Sequence, residues 1–191
     1  MSDLNARPRI IRKKRTFIPL SKLMTSDAVK TVSDSPHRME ELLLLLEDRE
    51  RSIRNRAAAT LAHLVLLHPT WLVRAVHRLR DSLMDESACV RWNLVYALGI
   101  LIARFPSRME NVLPDILECL DDQNRIVRVF ASKTLANVAA CRPRIIEELF
   151  QKSGKEAPRL VDDILRNSGS SPGNVSKLPT IPGTNRPNLD I

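Results

Sequence analysis

The sequence predicts an all-α protein: a short α-solenoid of three stacked two-helix repeats, extended by a partial fourth repeat or capping helices. Three observations carry that prediction. First, the chain aligns with itself at a shift of 37 residues, without a gap, through three copies. Leu46 falls on Leu83 and Leu120, Asp48 on Asp85 and Asp122, Arg54 on Arg91 and Arg128, and Pro69 on Pro106 and Pro143. A fixed period of this size marks supersecondary units that bury their apolar faces only against one another. Second, apolar residues recur at helical spacing, as in Leu42, Leu43, Leu46 and Ile116, Leu117, Leu120. Third, the most apolar stretch, LVYALGILIARFP at 94–106, is too short for a membrane span. A span needs about 20 apolar residues, and Arg91 and Arg104 bracket only 12. The stretch fits the second helix of the middle repeat, covered on both sides by its neighbours.

The elements follow in order. Residues 1–35 form a basic N-terminal arm and a cap. The arm ends in IRKKR, and FIPLSKLM after it reads as a short linear motif or an apolar flap over the first repeat. SDSP then starts a helix, with Ser35 at the N-cap and Pro36 at the first helical position. Residues 36–167 form the repeat domain. Each repeat is a helix A, a tight turn and a helix B: 36–47 and 52–68, then 70–84 and 88–105, then 107–120 and 125–141. Pro69, Pro106 and Pro143 stop each B helix. Thr70 and Ser107 are candidate caps for the next A helix, and Ser107 with Glu110 suggests a capping box. Pro114 falls inside an A helix and should kink it. A fourth A helix begins at RIIEELFQ and breaks at Ser153-Gly154-Lys155; RLVDDIL follows near 157–167 and offers an apolar face to the open end of the stack. Residues 168–191 are rich in Gly, Ser, Pro and Asn, a composition that predicts a disordered tail.

The formal net charge is +8, unevenly spread. Residues 1–35 carry eight basic and three acidic residues, and residues 36–152 carry seventeen and fifteen. A basic arm beside a near-neutral body points to targeting or polyanion contact. Arg12, Lys13, Lys14 and Arg15 are the candidate nuclear-localisation or nucleic-acid-contacting run. The three cysteines, Cys89, Cys119 and Cys141, are odd in number and lack metal-ligand spacing. Reduced, buried thiols of a cytosolic or nuclear protein are expected. No nucleophile elbow, phosphate loop or dinucleotide fingerprint occurs, so no catalytic residue, cofactor or metal site is assigned and the protein is read as not an enzyme.

With Leu, Asp, Ile or Val, and Arg at identical offsets three times, followed each time by a proline, the chain resembles the HEAT-repeat family. The resemblance implies an armadillo-like helical scaffold for protein binding. A narrower likeness covers Val90 to about Leu135. VRWNLVYALGILIARFP, followed by a helix pair with Leu120-x-Asp122 and Val127-Arg128, resembles the HEAT segment of condensin D-type subunits. After Leu135 the sequence ANVAACRPRII departs from that segment. The resemblance implies work in the nucleus within a chromosome- or chromatin-associated complex.

The Asp and Arg pairs of the repeats read as structural, tying neighbours along the turns. Arg49, Arg51 and Arg125 sit on the turns between A and B helices, and arginine suits phosphate or carboxylate recognition. They are candidate partner-binding residues. Trp92 aligns with Asn55 and Val129, so it reads either as an exposed interface anchor or as packing between helices. Trp71 reads as a staple onto the preceding helix. The expected partners are proteins on the solenoid face and nucleic acid on the arm, with no membrane. The alternatives are a tubulin-binding module of the TOG type and a cytosolic transport or ubiquitin adaptor.

Overall fold

The computed structural model describes residues 18–167. The basic run Arg12–Arg15 and the tail from 168 lie outside the described residues. A single 3-10 turn, Leu20–Lys22, leads to α1 (Thr25–Asp34). Repeat 1 follows as the turn Pro36–Arg38, α2 (Met39–Leu44), the turn Leu45–Glu47 and α3 (Arg51–Leu67). Repeat 2 is α4 (Pro69–Val73), α5 (Val76–Asp81), Ser82–Met84 and α6 (Ala88–Arg104). Repeat 3 is α7 (Pro106–Met109), Glu110–Val112, α8 (Leu113–Glu118), Cys119–Asp121 and α9 (Arg125–Cys141). The chain continues through α10 (Pro143–Ser153) and α11 (Arg159–Asn167). Among the described residues there is no strand, and the fold is the all-α solenoid that the period predicts.

The B helices form one row. α1 packs on α3, α3 on α6, α6 on α9, and α9 on α11. α1 and α11 therefore occupy B positions before and after the three repeats. Each buries a small apolar set: Ala28 and Val32 of α1 are buried, as is Val161 of α11. The opening of α6 onto its neighbours is closed on both sides. Leu94, Val95, Ala97, Leu98 and Leu101 are wholly buried, and each buried leucine contributes about 1.5–3 kcal/mol. This explains the apolar run at 94–106. No helix among the described residues is long and apolar enough to cross a membrane.

Proline sets the corners. His68, Phe105 and Arg142 all have φ between −133° and −142° and ψ between 55° and 63°, and each precedes a proline that begins the next helix. A residue before proline is driven out of the α region, while proline itself fits the first helical turn. Ser35 before Pro36 has nearly the same geometry, φ −142° and ψ 76°. The same corner therefore also closes α1, although Pro36 precedes Pro69 by 33 residues instead of 37. The N-cap positions are His68 and Phe105, without side-chain cap bonds. Thr70 and Ser107 lie inside their helices, and no capping box forms. The A path breaks near its middle in every repeat, at Arg38, at Ala75 and at Met109 to Val112. Pro114 sits in the first turn of α8, where its missing N–H costs nothing. It marks a break that the other two repeats make without it. Gly154, with φ 67°, ends α10 in the left-handed region that glycine adopts freely.

Candidate interaction surface

The turns between A and B helices are knitted by one motif used three times. The carboxylates of Asp48, Asp85 and Asp122 each accept the backbone N–H two residues on, at 2.7 Å. Arg54, Arg91 and Arg128 each donate Nη1 to the main-chain oxygen of the aspartate in their own repeat, at 2.9, 2.7 and 2.7 Å. Two of the arginines also reach forward. Arg54 Nε lies 2.7 Å from Asp85, and Arg91 grips Asp122 with Nε at 2.6 Å and Nη2 at 2.8 Å. Such two-pronged pairs are strong and directional. Arg91 holds the Asp122 carboxyl below its ordinary value, while burial works against the shift. The guanidiniums of Arg54 and Arg91 are raised in turn, chiefly by the bonds to Asp85 and Asp122. The ladder ends at Arg128, because the residue in register with Asp122 one repeat later is Arg159. There Lys155 takes over, with Nζ 2.8 Å from Asp121 and 2.9 Å from Glu118. At the other end Arg38 and Glu41 tie the chain at Ile18 and Leu20 to repeat 1. These charges hold the stack together and are not available to a partner.

The remaining charges sort by layer. α3, α6 and α9 contain no aspartate or glutamate at all, yet carry Arg51, Arg54, Arg56, Arg91, Arg104, Arg125, Arg128 and Lys133. The acids of the repeats lie on the A path and the turns, among them Glu40, Glu47, Glu86, Glu118 and Asp121. The near-neutral body is therefore a cationic B row on an acidic A layer. Four cations of the B row are exposed, Arg51, Arg104, Arg125 and Lys133.

Arg51 and Arg125 are the first residues of α3 and α9. Arg49 is exposed on the turn before α3, and its carbonyl accepts from Arg54. Around Arg49 the turn is acidic, with Glu47, Asp48 and Glu50. The structure separates the three arginines: Arg51 and Arg125 belong to the B row, and Arg49 to the turn edge. Trp92 is half-buried, and its ring stacks on Phe130 of α9 with centroids 5.6 Å apart. Tyr96 meets the same ring edge-on. The tryptophan is thus first a packing residue between α6 and α9, with one part left at the surface. Trp71 stacks on His68 at 3.8 Å, across the proline corner.

Sequence reasoning missed Ile126 and Val129, which are 45 % and 39 % exposed on α9. It also missed a cavity of about 520 Å³ between α6 and α9, with Gly99, Ala103 and Asn137 among its walls. The usable signal was the total lack of acids in the three B helices. The thiols also differ from expectation. Cys119 is buried, its thiol pushed up to about 12 mainly by burial, and Cys89 is half-buried, but Cys141 is exposed at the end of α9.

Residues 53–159, more than half of the chain, match the family model of Cnd1, non-SMC mitotic condensation complex subunit 1. The chain belongs to that family. The matched region begins at Ile53 in α3 and ends at Arg159 in α11, so the condensin likeness is wider than Val90–Leu135. It takes in ANVAACRPRII, which the narrower likeness leaves out. It also takes in Arg54–Asp85 and Arg91–Asp122, the two rungs that join repeats. At this level the chain is a chromosome-associated HEAT scaffold of the condensin subunit 1 type. No curated protein matches the chain significantly.

Proposed function

We propose that the protein is a non-enzymatic scaffold that holds protein partners in a nuclear, condensin-type complex. The family match over 53–159 is the observation that carries this reading. The stack adds a physical reason. Its paired charges rigidify the turns, while the B row presents exposed Arg51 and Arg125 and the half-buried Trp92, with no acid on the same helices. A rigid surface with free cations and an aromatic edge suits recognition of another macromolecule. Arg12, Lys13, Lys14 and Arg15 serve nuclear import or a nucleic-acid contact in this reading, as a compact basic run does.

The test is affinity purification of the full-length protein from its own cells, with mass spectrometry, beside a variant in which Arg12, Lys13, Lys14 and Arg15 are all alanine. Recovery of chromosomal proteins with the intact form is expected. The variant should lose nuclear accumulation while keeping its protein partners in a lysate. Recovery of tubulin or of cytosolic adaptor machinery in place of chromosomal proteins would refute the proposal.

A further inference from the structure

The furrow between α6 and α9 is built differently from the one between α3 and α6. On α6, Trp92, Gly99 and Ala103 recur at i, i+7 and i+11, and on α9 Ile126, Lys133 and Asn137 keep the same spacing. Both sets lie along one stripe of their helix. Val129 stands beside Ile126 on α9, and both remain exposed although they are aliphatic. Position by position, Gly99, Ala103 and Asn137 replace Ala62, Leu66 and Ile100 of the preceding pair. Ala103 and Asn137 border the cavity of about 520 Å³ at the C-terminal half of the furrow, while the room that Gly99 leaves is taken up by Thr134. Free cations stand along it: Arg125 at the start of α9, Lys133 in the middle of α9, and Arg104 in the cavity wall.

We infer that this furrow docks an acidic segment of a partner protein, with one large apolar side chain of that segment seated in the cavity. Charge complementarity selects the occupant. No carboxylate exists on either helix, and the one carboxylate in the cavity wall, Glu110 of the A path, is paired with Arg142 at 3.6 Å, so the unpaired charges along the furrow are cations. The chain's own ends do not supply such a segment: residues 1–17 carry six basic residues and one acid, and residues 168–191 carry two basic residues and one acid. The apolar floor favours protein over nucleic acid, because a phosphate backbone laid on Ile126 and Val129 would lose hydration without gaining a partner. A side chain of leucine or phenylalanine size fits the cavity, and a central apolar anchor ringed by charge is how compact docking sites concentrate affinity. The inference deepens the scaffold reading by naming the partner's chemistry and the surface it uses.

The experiment selects binders from a display library of short random peptides on immobilised full-length protein. The winners are synthesised and titrated by fluorescence anisotropy, and a short DNA duplex is titrated alongside. The expected winners combine Asp or Glu with Leu, Ile or Phe, and bind more weakly as salt rises. Lys133→Glu, at an exposed site, and Ala103→Trp, which fills the cavity, should each weaken them by about tenfold or more. Met84→Ser, on the exposed A–B turn, should leave them unchanged. Thermal melts establish that each variant folds, and Lys133→Glu alone decides the matter if Ala103→Trp does not fold. Selection of basic or charge-neutral peptides, or of none, overturns the inference. So does equal binding to Lys133→Glu, or a duplex that binds more tightly than the peptides and is lost in the same variants. If chromosomal proteins co-purify but no acidic peptide is selected, the furrow falls and the scaffold reading stands. If acidic peptides bind the furrow but no chromosomal protein co-purifies, the reverse holds.

Discussion

Where α6 meets α9, a Cβ at Gly99 would lie 2.6 Å from Oγ1 of Thr134, nearer than two atoms can sit. The same two positions one repeat earlier are Ala62 and Ala97. The close approach is therefore kept by trading bulk across the interface. Gly99→Ala alone should destabilise by about 1–3 kcal/mol through overpacking, despite alanine's helix advantage. Added to Thr134→Ala, it should instead stabilise by up to about 1 kcal/mol. Chemical denaturation of the four members of this cycle measures the coupling. Asp122 makes a second residue-scale prediction. Its folded carboxyl is lowered first by Arg91, so its contribution is fully present above the ordinary value of 3.8 and is lost as pH falls through the folded value. Asp122→Asn should cost about 3 kcal/mol at neutral pH by stranding Arg91. The difference from wild type should shrink below about pH 4, as denaturation midpoints across that range will show.

Helix ends separate stability from function. Arg125 opens α9, where a cation opposes the helix dipole. Asn124 alone caps that end, accepting the N–H of Ile126 at 2.8 Å. Arg125 thus works against the helix it begins. Arg125→Glu should raise stability by about 0.3–1 kcal/mol and yet weaken partner binding. A higher melting temperature together with reduced recovery of partners in the purification above is the expected pair of results. A lower melting temperature would show instead that Arg125 supports the fold.

Three repeats leave two apolar flanks, and the whole molecule closes them with helices in B positions. Val161 of α11 is wholly buried on the side of α9. Val161→Asp would bury an unpaired carboxylate, which costs several kcal/mol, so α11 should detach. The uncovered flank of α9 should then pair with another copy. Light scattering after size exclusion is expected to show concentration-dependent self-association in this variant, and a single-chain mass in the wild type. A variant that stays monomeric with an unchanged melting temperature would show that α11 is dispensable.

Much of this was legible in the chain because a repeat writes its contacts into its spacing. The 37-residue period named the B helices to within a residue, and the recurring Asp and Arg marked the ladder that Arg54–Asp85 and Arg91–Asp122 complete. Local chemistry fixed the corners too, since proline constrains its own φ and the residue before it. Caps were misread at Thr70 and Ser107, because the proline corner starts each helix two residues earlier than a hydroxyl cap would. The helix start at Ser35-Pro36 was legible, but α1 before it was not, because residues 25–34 lie outside the 37-residue repeat. The candidate surface was half visible: Arg51, Arg125 and Trp92 stand out as residues, but Arg49 belongs to a different edge. Lys133, Ile126 and Val129 become a surface only once α9 lies against α6. Net charge sums over the chain and loses direction, whereas stacking sorts it by face. The sequence by itself thus determined the B helices, their order and their register, which depend on neighbours along the chain. Tertiary structure alone decided which side chains share a furrow and which cations stay free, because those depend on how closely Gly99 lets two helices approach.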